Sequence, residues 1–147
     1  SDFIVGYPGE SDYEFQQTLD FVEELNFSNA YSFIYSSRPG TPASFEKDGI
    51  SIDTKKKRLK RLQELIKSQS LSYTKKMLGT KQNVLVEGMS IKGNNELYGR
   101  SDNNKVINFY ADKKYIGDFV DIYITEIKSN TLYGEIIETD ERKKIYN

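Results

Sequence analysis

Residues 2–15, DFIVGYPGESDYEF, pass from an apolar run (Phe3, Ile4, Val5) through a Gly-rich turn at residues 6–10 into an amphipathic stretch. Ser11 and Glu14 fit a capping box, in which serine oxygen and glutamate carboxylate satisfy the free N–H groups at a helix start. Phe15, Leu19, Val22 and Leu25 then recur at spacings of 4, 3 and 3, an apolar stripe that predicts a helix ending at Asn26. The next segment, NAYSFIYS (29–36), is rich in aromatic and β-branched residues and predicts a second strand. Strand, helix and strand in that order form the βαβ unit of a parallel sheet. Both strands are apolar on both faces, so two strands are not expected to make a whole sheet.

The loop SRPGTPASFEKDG (37–49) follows, with a turn expected at Pro39 and Gly40. A long helical pattern begins near Ser51, with Leu59, Leu62, Leu65 and Ile66 on one face. It is weakest at residues 68–72, SQSLS, where a break or domain boundary is expected. Past Leu78 and Gly79 the period falls to two. Runs at 81–88, 95–101, 105–111, 118–127 and 131–137 are separated by Gly, Asn and Asp and predict a small closed barrel of antiparallel strands, of the oligonucleotide-binding (OB) kind. Asp102, Asn103 and Asn104 make one expected hairpin turn, and Lys128, Ser129 and Asn130 another. The expected fold is thus an α/β part over 1–75, an all-β barrel over 76–138 and a charged tail over 139–147.

Composition narrows the chemistry. The 147 residues include no Cys and no His, which removes disulfides, thiolate ligands, the usual general base and the commonest zinc ligand. Self-sufficient catalysis is not expected. No apolar run is long enough to cross a membrane, and the expected compartment is the cytosol. The net charge of −1 conceals three blocks: two bases against ten acids over 1–54, ten against one over 55–82, and nine against eleven over 83–147. A basic middle between acidic flanks suggests a boundary and a polyanion contact.

Three constellations carry candidate chemistry. Residues 6–10 lie at the carboxyl end of a parallel strand, where α/β folds bind ligands, and Gly6, Gly9 and Glu10 suit close approach and hydrogen bonding. The plainer reading is a tight strand-to-helix turn in which Glu10 complements the helix dipole. The run KKKRLKR (55–61) suits phosphate contact or a solvated helix face. In the barrel, Tyr98, Phe109, Tyr110, Tyr115, Tyr123 and Tyr133 stand among Lys92, Arg100, Lys105, Lys113 and Lys114. Aromatic residues interleaved with bases suit single-stranded nucleic acid, although any one of them also suits the core. Arg100 and Lys105 are expected to supply one or two local phosphate contacts.

Several stretches in register resemble the C-terminal part of the tRNA methylthiotransferases of the MiaB type, which are radical S-adenosylmethionine enzymes. They are SDFIVGYPGESDYEF (1–15), FIYSSRPGTPA (33–43), KKKRLKRLQELI (55–66), VLVEG (84–88), LYGRSDNNKVINF (97–109) and GDFVDIYITEIKSNTLYGEI (117–136). The last three are similar to the family's TRAM domain. The family's CxxxCxxC loop and three N-terminal cysteines are absent.

The resemblance implies a partial radical barrel ending in βαβα, followed by an RNA-binding TRAM barrel, with the rest of the parent upstream. It implies that the parent adds a methylthio group to a hypermodified adenosine beside the anticodon. The parent would use S-adenosylmethionine and two [4Fe-4S] clusters, neither cluster held by this chain, which would be inactive alone. Gly6, Pro8, Gly9, Glu10, Tyr35, Ser36 and Arg38 would line the S-adenosylmethionine site. Lys92, Tyr98, Arg100, Asn103, Asn104, Lys105 and Phe109 would meet the anticodon stem-loop of tRNA. A stand-alone TRAM-type adaptor, the sibling enzyme of a ribosomal protein and a branch acting on threonylcarbamoyl-adenosine are the alternatives. The apolar strands also lead us to expect a two-fold dimer through residues 1–75.

Overall fold

Strand β1 (Asp2–Val5) pairs in parallel with β2 (Tyr31–Ile34), Val5 opposite Ile34, and helix α1 (Asp12–Leu25) makes the crossover. The computed structural model describes residues 1–91, 95–128 and 131–137. It divides into two units, Ser1–Leu71 and a second beginning at Ser72.

The capping box forms as the sequence predicts. Ser11 Oγ accepts from Glu14 N at 3.2 Å, and Glu14 Oε2 accepts from Ser11 N at 2.7 Å. The Ser11 N–H and the Ser11 hydroxyl, which also donates to Glu14 Oε2 at 2.7 Å, hold the Glu14 carboxyl below its usual range. Asn26 closes the helix in the left-handed conformation, φ 51°, its N–H bonded to Val22 O. Phe15, Leu19 and Val22 face the core, but Leu25 is 51% exposed. Each step of 3 falls about 60° short of a full turn at 3.6 residues per turn, so a stripe that steps 4, 3, 3 has drifted off the buried face by its end.

Helix α2 (Ile52–Met77) covers the same face of the two strands, packing Leu62 and Ile66 against Val5, Phe15, Leu19 and Val22. No break occurs at residues 68–72. Serine's weak helix propensity costs only about 0.5 kcal/mol per residue, and buried Gln69 offsets it. Its Nε2 donates to Val22 O at 2.7 Å, and its Oε1 accepts from Phe27 N at 3.0 Å. The opposite face of the strands presents Ile4, Tyr31 and Phe33, each more than half exposed.

In the second unit, β3 (Lys81–Met89), β4 (Glu96–Ser101), β5 (Val106–Tyr110), β6 (Phe119–Lys128) and β7 (Thr131–Ile136) close a barrel in the order β3-β4-β5-β7-β6. The expectation of wholly antiparallel strands is corrected at one seam: β5 and β7 run parallel, Ile107 opposite Leu132. A ring of five strands cannot alternate direction all the way round, so one parallel pair is unavoidable. The interior holds Val84, Val86, Leu97, Ile107, Phe109, Val120, Ile122, Ile124 and Leu132, with Met77.

Gly99 faces this interior, where an added Cβ would meet Leu85 O and lie 2.6 Å from Val84 Cγ1. A methyl group there must displace backbone. Gly99→Ala is therefore expected to destabilise the barrel by about 1–3 kcal/mol, measured as a lower urea midpoint for the amide signals of β3 and β4.

Candidate functional site

Gly6 takes φ +71°, a conformation that side chains resist, and is itself buried. The aliphatic stem of Lys55 packs where its Cβ would be, 2.6 Å from that position at Cγ. The turn that follows is tied internally, Glu10 N donating to Tyr7 O at 2.9 Å and Gly6 N to Glu10 Oε2. Arg58, 6% exposed, then clamps it from α2. Its Nη1 donates to Glu10 O at 3.0 Å and Glu10 Oε2 at 2.9 Å, and its Nη2 donates to Asp12 Oδ1 at 2.7 Å. Burial disfavours the guanidinium charge, yet the bonds to Asp12 and Glu10 outweigh it and raise its pKa. The Glu10 carboxylate is thus engaged within the protein.

Two of the six bases in the run at 55–61 are therefore internal, which corrects the picture of one solvated or phosphate-facing run. Lys55 Nζ reaches Asp48 Oδ2 at 2.5 Å and lies 5.7 Å from the Tyr35 ring centre. The hydrogen bond to Lys55 lowers the Asp48 pKa despite some burial. Lys56, Lys57, Lys60 and Arg61 stay exposed. The missed signal is the helical period: Leu62 and Ile66 continue backwards at steps of 3 and 4 to Arg58 and Lys55.

Tyr35 follows β2, its N–H donating to Val5 O at 2.8 Å, and its ring meets the Tyr7 ring edge-on at 5.2 Å. The two strand ends thus bring Tyr35 beside the 6–10 turn. The Tyr35 hydroxyl is buried with no hydrogen-bond partner among the described residues. Gly9, at φ +83°, opens onto free space, and Pro8 sits half-buried beside it. Ser36 and Arg38 are exposed beyond them, Arg38 without an ion pair among the described residues.

On the barrel, Phe109 is 1% exposed and belongs to the core, which corrects its expected place in an RNA site. Strand alternation decides this: Ile107 and Phe109 point inward, while Asn108 and Tyr110 point outward. Tyr98 and Arg100 share the outward face of β4, Tyr98 opposite Asn108 and Arg100 opposite Val106. Asn108 is in turn opposite Tyr133 on β7. Asn103 and Asn104 sit in the β4–β5 turn, where Asn104 at φ 61° accepts from Arg100 Nη1 at 3.1 Å. Lys105 follows, its pKa lowered by burial. Lys92, Ser129, Asn130 and the 139–147 tail lie outside the described residues.

The sequence-based reading missed Glu87. It lies at a β-bulge between Val86 and Gly88, on the outward face, and pairs with Arg100 Nε at 3.1 Å. Lys81 pairs likewise with Asp121 at 2.8 Å, and Lys128 with Glu126 at 2.7 Å. Among the described residues no cluster of acids suits a metal ion, and no helix is long and apolar enough to cross a membrane.

Comparison with known proteins gives the relatives of both units. The TRAM domain model matches residues 75–137. Proteins named tRNA-2-methylthio-N(6)-dimethylallyladenosine synthase from Shewanella loihica and Actinobacillus pleuropneumoniae are each 50% identical over 96% of this chain. The chain is similar throughout to the C-terminal part of tRNA methylthiotransferases. It spans about 30% of the length of these relatives, matching their C-terminal part. The Haemophilus ducreyi protein of the same name is 50% identical over 97% of the chain and again 30% of its own length. Among solved structures, the apo form of Mycoplasma genitalium RNase R overlaps 58% of this chain and 17% of its own at 15% identity, with a TM-score of 0.34, too slight a likeness to bear on the fold.

Proposed function

We propose that this chain supplies the RNA-gripping barrel and the closing βαβα segment of a radical S-adenosylmethionine enzyme, acting in the cytosol, that methylthiolates a hypermodified adenosine beside the anticodon. The observation that carries the reading is 50% identity over 96% of the chain to the dimethylallyladenosine synthases, with the TRAM match over the barrel. The three alternative readings have no comparable support.

In this reading residues 1–71 border the cofactor. The buried, unpartnered Tyr35 hydroxyl and the open backbone at Gly9 fit a bound ligand; Gly6, Pro8, Ser36 and Arg38 would complete its border. Glu10 acts indirectly, fixing the turn through Gly6 N and Arg58. When bound, S-adenosylmethionine supplies the radical and methyl chemistry together with iron–sulfur clusters. No residue of this chain can ligate iron through Cys or His, so the clusters belong to the remaining length of the parent, and the chain alone is inactive. That remaining length, or a second copy of the chain, would cover Ile4, Tyr31 and Phe33.

The barrel meets RNA through the outward face of β4 and the turn after it, that is Tyr98, Arg100, Asn103, Asn104 and Lys105. Tyr98→Ala is expected to weaken binding of a tRNA anticodon stem-loop about tenfold, the worth of one stacked base. The slope of affinity against salt stays unchanged, because tyrosine neutralises no phosphate. Fluorescence anisotropy at two ionic strengths measures both. Unaltered affinity would move the RNA site off this face.

A further inference from the structure

We infer that Arg100 reads the edge of a nucleobase instead of gripping a phosphate, a refinement that rests on the RNA-binding reading above. Phosphate capture draws on unmatched positive charge, and the charge of Arg100 is already matched. Its Nε lies 3.1 and 3.2 Å from the two carboxylate oxygens of Glu87, and its Nη1 donates to Asn104 Oδ1 at 3.1 Å. These bonds fix the guanidinium plane. They leave Nη2 and one hydrogen of Nη1 without a partner among the described residues. The side chain is still 44% exposed, so those donors meet solvent.

A planar fork that is held still and electrically offset suits a neutral pair of adjacent acceptors. In unpaired RNA that pair exists as guanine N7 and O6, or as cytosine N3 and O2. Adenine sets a donor beside its acceptor, and uracil places N3–H between its two oxygens. Leu85 and Val106 flank Arg100 across the strands and provide an apolar rim. Tyr98, two residues along the same face, offers a ring for stacking. Glu87 is the positioning residue, on the same outward face of β3 as Leu85, which lies opposite Arg100.

The test uses the full chain and short oligouridine strands carrying one central G, C, A or U, at two ionic strengths. The strand with G or with C is expected to bind about fivefold or more tightly than those with A and U. A 7-deazaguanine arm, lacking N7, separates the two sources: it abolishes a preference for guanine and leaves one for cytosine intact. Arg100→Lys keeps the charge and loses the fork; it should erase the preference with the salt slope unchanged. Glu87→Gln frees the charge, and should steepen the slope by about one phosphate while blunting the preference. Equal binding of all four strands, or a preference that survives Arg100→Lys, overturns the inference alone. Failure of the wild-type chain to bind any strand, or an anticodon stem-loop, overturns the RNA-binding reading and the inference with it.

Discussion

Phe109→Ala is expected to lower barrel stability by about 4 kcal/mol, dropping its melting temperature by more than about 15 °C. The ring is 1% exposed and packs with Leu97, Ile107, Ile122 and Leu132 inside a closed barrel. Truncation removes that burial and leaves a cavity that a closed ring of strands cannot easily collapse. Amide signals of β4, β5 and β7, followed during heating of the full chain, measure the loss. Phe109→Leu, which fills most of the space, should recover more than half. An unchanged melting curve, with weakened RNA binding instead, would return Phe109 to the surface role first expected of it.

Arg58→Met is expected to cost residues 1–71 about 3–5 kcal/mol. The variant keeps the apolar stem against Phe15 but leaves the Glu10 carboxylate, 12% exposed, without its cation. Glu10 would then hold its charge in a poorly solvated place, or release Gly6 N and let the turn open. The share owed to Asp12 is small, because that carboxylate is 95% exposed. Adding Glu10→Gln to Arg58→Met removes the stranded charge and should restore part of the loss. Hydrogen exchange at α1 and β2 reads the change, with the barrel amides as internal control. Equal protection in wild type and Arg58→Met would show that the clamp holds nothing.

The elements of this chain were legible wherever the period of apolar residues was long and clean. Helix α1 began and ended at the residues its caps indicate, and the five barrel strands fell within a residue or two of the alternating runs. Faces were harder to read than elements. Phe109 looked like a binding aromatic in composition, but its parity with Ile107 already assigned it inward. Lys55 and Arg58 looked like surface charge, but their place on the stripe of Leu62 and Ile66 assigned them to the interior.

Other features depend on distant partners that no local pattern carries. Gln69 holds α2 together through Val22 and Phe27, more than forty residues away. Glu87 gains its partner from the β3–β4 register, which sets Arg100 opposite Leu85 on the same outward face. Charge totals misled for the same reason. The bases Lys81, Arg100 and Lys128 count as cations in the sequence, yet each is paired with a carboxylate on the folded barrel.

The claim on which the functional account turns is that the barrel meets RNA through the outward face of β4 and the turn after it. The most direct test is a titration of the isotope-labelled chain with an anticodon stem-loop RNA, observed through backbone amide and arginine side-chain NMR signals. The account predicts shifts concentrated at Tyr98, Arg100, Asn103, Asn104 and Lys105, with residues 2–10 and 31–38 unmoved. Shifts confined to Lys56, Lys57, Lys60 and Arg61 on α2, or none on the barrel, would contradict it.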